Sequence, residues 1–152
     1  LMLVFGYFKF FINSNEPLLF IDVDINPSIE FAVDGKSIVK DVHPINKEAD
    51  ELTQNLDLEN IPLSEAIIKY IDKAIEEGYL NERRENSNYL LVSAALNPKS
   101  GEYKKDQVNA EKRLDSELED LKDDLLNVYR RKFNFEKINK NIICVRWTKY
   151  YT

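Results

Sequence analysis

The stretch that most constrains this chain runs Phe20-Ile21-Asp22-Val23-Asp24-Ile25-Asn26-Pro27-Ser28-Ile29-Glu30-Phe31. Ile21, Val23 and Ile25 alternate with Asp22 and Asp24, the period of two that marks a strand with one buried face. Ile29, Phe31 and Val33 repeat the pattern immediately after Asn26-Pro27. The interruption must therefore be a tight corner between two strands. Proline offers no N–H to a ladder and restricts the residue before it, which leaves Asn26 few backbone conformations.

Asn-Pro also restricts the chemistry. An asparagine ordinarily deamidates when the next backbone nitrogen attacks its side chain, but Pro27 has no N–H with which to do so. What remains is the reverse attack: the Asn26 carboxamide nitrogen adds to its own main-chain carbonyl, closes a succinimide and expels the Pro27 amine. The backbone is then cut. Restraint of the attacking geometry accelerates such a reaction by about tenfold for each 1.4 kcal/mol removed from the barrier.

The run Asp22 to Glu30 resembles the "DINPSIE" signature of the extracytoplasmic domain of RsgI-type anti-sigma factors, a SEA-like autoproteolytic domain. The similarity continues through Val33-Asp34-Gly35-Lys36 and Leu63-Ser64-Glu65-Ala66-Ile67 and covers roughly residues 18 to 150. It implies self-cleavage between Asn26 and Pro27 with the two fragments staying associated, a single turnover rather than an enzyme's cycle. It further implies a single-pass regulator in the cell membrane. Its cytoplasmic region, outside this chain, would hold a sigma factor, and an intramembrane protease would release that factor once the fragments part. Asn26 is then the attacking residue and Pro27 the leaving amine. Asp24 and Asp22 are candidates to accept a proton or orient the amide, or else polar strand positions. In SEA domains a serine directly after the scissile bond is the nucleophile. Here that position is Pro27, and Ser28 stands one residue too far, so Ser28 reads as a hydrogen-bonding support or a turn residue. Glu30 has no derivable role.

At 152 residues the chain has the length of one domain, and 43% hydrophobic with 32% charged residues is a globular composition. The net charge of -6 argues against nucleic acid as a partner. One cysteine, Cys144, excludes an internal disulfide and reads as a buried small hydrophobe; one histidine, His43, gives no zinc set, and no cofactor or metal is expected. Leu1 to Ile12 is apolar but shorter than the roughly 20 residues that span a bilayer. It reads either as the outer end of a transmembrane helix or as a segment packed on the domain. The resemblance favours the first, with residues 1–17 as membrane end and juxtamembrane linker and 18–152 as the extracytoplasmic domain.

The patterns predict strands at Leu18–Asn26, Ser28–Val33 and Ser37–Val42, with Asp34-Gly35 as a two-residue hairpin and His43-Pro44 closing the third. A short helix over 46–55 would be capped by Asn46. Leu63, Ala66, Ile67, Tyr70, Ile71, Ala74 and Ile75 define one buried face of a helix over Leu63–Glu77 that Gly78 ends. Tyr89–Leu96 reads as a central strand. Asn97-Pro98 follows in what reads as a loose polar turn that stays uncut. A long charged helix spans Glu102–Arg131, with Leu114, Leu118, Leu121 and Leu125 inward and Glu117, Glu119, Asp120, Asp123 and Asp124 on an outer face that is either solvated or a metal or partner site. Ile142–Tyr150 is the last strand. Together these predict an α+β fold, a mainly antiparallel five-stranded sheet with helices on one face. An uncut polysaccharide-binding module is the alternative function, although the aromatics fall at core positions.

Overall fold

The computed structural model describes residues 16–80, 90–132 and 143–147, and for 143–147 the backbone alone. The expectations for residues 1–15 and for the Cys144 side chain lie outside the described part. The elements are β1 (Leu19–Asp24), β2 (Ser28–Val33), β3 (Val39–Pro44), α1 (Lys47–Thr53), α2 (Leu63–Glu76), β4 (Leu90–Leu96), α3 (Gly101–Lys105), α4 (Gln107–Lys132) and β5 (Ile143–Trp147). The strand order is β3-β2-β1-β4-β5. Each neighbouring pair among the first four is antiparallel, and β5 lies parallel to β4. The connections are therefore not hairpins throughout: β4, the α3–α4 segment and β5 form a crossover. Strand β1 is interior, with β2 on one side and β4 on the other.

Alternation along β1 sends Leu19, Ile21 and Val23 to one face, where Ile29, Phe31, Val33, Val92, Ala94 and Leu96 join them in full burial. The buried sides of all four helices close over this face in one cluster. The opposite face carries Asp22, Glu30, Asp41, His43 and Ser93.

Helix α1 is capped as expected, the Asn46 side chain accepting from the Ala49 N–H at 3.0 Å. Helix α2 lies within one residue of its expected bounds, and Gly78 at φ 80° ends it. Four local expectations are corrected. The corner after β2 is not a two-residue hairpin: Ser37 donates to the Asp34 carbonyl, and the Asp34 carboxylate accepts from the N–H groups of Lys36 and Ile38. Ser37 rather than Gly35 takes the left-handed conformation, at φ 61°, and Gly35 instead leaves room for the Glu102 carboxylate packed against it. Strand β3 starts at Val39 and runs through His43-Pro44, because on an edge strand proline need not donate. The long helix breaks at Asp106 (φ -152°), whose side chain accepts from the Asn109 N–H at 3.1 Å and so restarts the helix as α4. Glu117 does not belong to an outer acidic face, since it accepts a hydrogen bond from Ser37 Oγ. Among the described residues no acidic or histidine cluster is arranged to hold a metal, and no helix is long and apolar enough to cross a membrane.

Candidate functional site

The loop between β1 and β2 is three residues long, Ile25-Asn26-Pro27, closed by the Asp24–Ser28 pair. Ile25 and Pro27 are buried and Asn26 between them is exposed, so the loop is anchored on both sides and presents only the asparagine. Ile25 N–H donates to the Pro27 carbonyl at 3.1 Å. Asn26 takes φ 52° and ends the extended run two residues earlier than alternation alone suggests. Asparagine tolerates this region better than most residues, yet a non-glycine there stores about 1–3 kcal/mol, and the following proline narrows its choices further.

Asp24 holds this geometry. One carboxylate oxygen, Oδ1, accepts from the Asn26 N–H at 3.0 Å and from Ser28 Oγ at 2.9 Å, so the residues flanking the Asn26–Pro27 bond share one acceptor. From outside, Ile45 N–H donates to the Ser28 carbonyl at 2.9 Å, and the Asn46 carboxamide oxygen lies 3.5 Å from the Ser28 N–H while capping α1. Asn46 thus ties the loop to a helix, a role that its reading as a cap alone did not reveal.

Of the expected site residues, Asn26, Pro27, Asp24 and Ser28 meet in this loop. Asp22 does not. It sits one pleat lower on the open face, opposite Glu30, and accepts from Ser93 Oγ at 3.4 Å. Partial burial raises its carboxyl above the usual range; the Glu30 charge adds to this, the Ser93 hydrogen bond opposes it and Asp24 adds again. A carboxyl with a raised folded-state pKa destabilises the fold above that pKa and is harmless below the ordinary value near 4. Asp22→Asn, which keeps an acceptor for Ser93, is expected to raise Tm at pH 7. That gain should fade as pH falls through the raised Asp22 pKa toward the ordinary carboxyl value near 4, which thermal melts at stepped pH would measure.

Asn97-Pro98 provides an internal contrast, and it is not the loose turn that its neighbours suggest. Asn97 is buried. Its Nδ2 donates to the Pro17 carbonyl at 2.9 Å, its Oδ1 accepts from Lys99 N–H at 3.0 Å, and its backbone N–H donates to the Leu18 carbonyl at 2.9 Å. The nitrogen that would attack is held on another group, whereas the Asn26 carboxamide has no partner among the described residues.

Helical spacing places one further polar group in the core. Tyr70 of α2 is fully buried, yet its hydroxyl has no hydrogen-bond partner among the described residues. Burial, then the negative charge of Asp24, then Tyr79 push its pKa well above the usual phenol range, so the hydroxyl stays protonated. Nothing in the sequence distinguishes this tyrosine from the aliphatic positions around it.

The family described as the anti-sigma factor RsgI-like central domain matches residues 19–142. Among curated relatives from Acetivibrio thermocellus, anti-sigma-I factor RsgI4 is 35% identical over 103 residues, 68% of this chain and 19% of that protein. Anti-sigma-I factor RsgI9 is 34% identical over 68% of the chain and 14% of its own length. Anti-sigma-I factor RsgI5 is 34% identical over 75% of the chain and 24% of its own length. The chain thus spans about a quarter or less of these relatives. With a matched region that takes in every element from β1 to α4, the chain belongs to the family of RsgI-like anti-sigma factor central domains.

Proposed function

We propose that this domain cuts its own backbone between Asn26 and Pro27 and serves as the separable joint of a membrane-bound anti-sigma factor. The observation that carries the reading is the Asn26 backbone at φ 52°, directly before proline and pinned by Asp24, with its carboxamide without a partner among the described residues. Nδ2 attacks the Asn26 carbonyl carbon, a C–N bond forms, and the bond to the Pro27 nitrogen breaks, leaving a succinimide on one fragment and a secondary amine on the other. One proton leaves the carboxamide and one arrives on the Pro27 nitrogen. Asp24 takes the first, and the Ser28 hydroxyl, hydrogen-bonded to it, is the route to the second. Water then opens the succinimide. Relief of about 1–3 kcal/mol of backbone strain at Asn26 is worth roughly 5- to 150-fold in rate.

After cleavage β1 stays in the sheet between β2 and β4, and the fragments remain together. In the full-length regulator the N-terminal fragment is the membrane side. Its separation exposes it to an intramembrane protease, and a sigma factor bound in the cytoplasm is released. The relatives' names supply the anti-sigma role, while the cleavage rests on the loop's geometry.

Denaturing intact-mass analysis of purified protein tests this directly. The expected result is two species, residues 1–26 and 27–152, with proline as the new N-terminus and no cut at Asn97-Pro98. A chain that remains whole through prolonged incubation would overturn the proposal.

A further inference from the structure

Among the described residues the Tyr70 hydroxyl is a buried side-chain group that finds no hydrogen-bond partner, and the cleavage scheme above leaves it unused. A buried hydroxyl without a partner is unfavourable, and replacing it by hydrogen should leave a fold no less stable. Its position follows from the topology. Helix α2 starts at the end of the sheet that carries the β2–β3 corner, where Leu63 N–H donates to the Ser37 carbonyl at 2.9 Å and Ile38 bridges Pro62. Strand β4 begins at the other end, where Leu91 pairs with Asp24. The chain therefore climbs through α2 toward the Asn26 loop. At 1.5 Å per residue Tyr70 stands about 10 Å above Leu63, against roughly 17 Å for the length of β1, and its phenol spans much of the remainder.

Resting on the self-cleavage reading, we infer that Tyr70, on the core side of the loop, donates its hydroxyl to the oxygen of the Asn26 carbonyl as the carboxamide adds to it. It gives a hydrogen bond and transfers no proton, so the balance of the reaction is unchanged. The bond is absent in the uncut chain and forms only as negative charge grows on that oxygen, and an interaction confined to the transition state accelerates the reaction without first stabilising the reactant. Its persistent protonation suits it to donate.

Tyr70→Phe tests the assignment because it deletes the oxygen and keeps the ring. Wild type and variant are freshly refolded from denaturant and followed by denaturing mass analysis, with Tm measured on each. The expected result is cleavage slowed by roughly a hundredfold, with Tm equal to or above wild type. Cleavage at the wild-type rate overturns the role of Tyr70 and leaves self-cleavage standing. Slow cleavage together with a lowered Tm assigns the effect to packing and overturns it as well. A wild-type chain that never cuts overturns self-cleavage itself, and this inference with it.

Discussion

Asn26→Gly is expected to abolish the cut at Asn26-Pro27 while leaving the fold at least as stable as the parent. Glycine removes the attacking nitrogen, and no other side chain in the loop supplies one: Ser28 lies beyond the scissile bond with its hydroxyl on Asp24. Glycine also suits φ 52° at no steric cost, so the corner relaxes rather than unfolds. Asn26→Ala should be equally uncut but lower in stability by about 1–2 kcal/mol, because its Cβ is unfavourable in the left-handed region. Comparing the two separates loss of chemistry from loss of structure. Both should run as one full-length species under denaturing conditions for as long as wild type takes to convert. Fragments from the glycine variant would mean that the carboxamide is not the nucleophile.

How much of this was legible beforehand depends on what each residue type makes visible. The β1–β2 pair could be read because Ile21, Val23, Ile29 and Phe31 recur at every second position on one buried face, although β2 also buries Glu30 and Ala32 on its other face. The corner could be read because proline permits so little. The crossover to β5 could not: a polar helix between two apolar strands reads the same whether the second strand returns antiparallel or parallel, and only pairing partners such as Leu91↔Cys144 decide it. The break at Asp106 was hidden for a related reason, since aspartate is tolerated on an exposed helix face and favoured as a cap, and the apolar spacing continues across it.

Asn97 marks the limit of local reading. Its neighbours Lys99, Ser100 and Gly101 suggest an open turn, yet its amide reaches Pro17, far away in sequence, and is buried there. The two Asn-Pro pairs thus differ in what the asparagine nitrogen is already doing, and that is fixed by contacts no window around either pair contains. Tyr70 shows the complementary case. Helical spacing correctly puts its ring in the core, but spacing says nothing about whether the hydroxyl at the end of that ring finds a partner.

The second large effect is expected in the protein after it has cut. Ile21 is wholly buried near the middle of β1, and Ile21→Ala should weaken the association of residues 1–26 with residues 27–152 by about 2–5 kcal/mol, roughly 30- to several-thousand-fold in Kd. In an Asn26→Gly background the same substitution can lower only Tm, because the strand remains covalently joined. Size exclusion of dilute cleaved protein separates the two situations: the cut variant should shed its N-terminal fragment while wild type retains it. The sheet adds a direction to this weakness. Leu19 pairs with Leu96, and β5 runs parallel to β4, so the entry to β1 and the exit from β5 lie at one end of the sheet. Traction between those two points opens the ladders pair by pair from that end instead of loading them together, and each buried side chain lost from β1 removes about 1.5–3 kcal/mol from the resistance. Retention of the Ile21→Ala fragment at wild-type strength would mean that something other than the buried face of β1 holds the halves together.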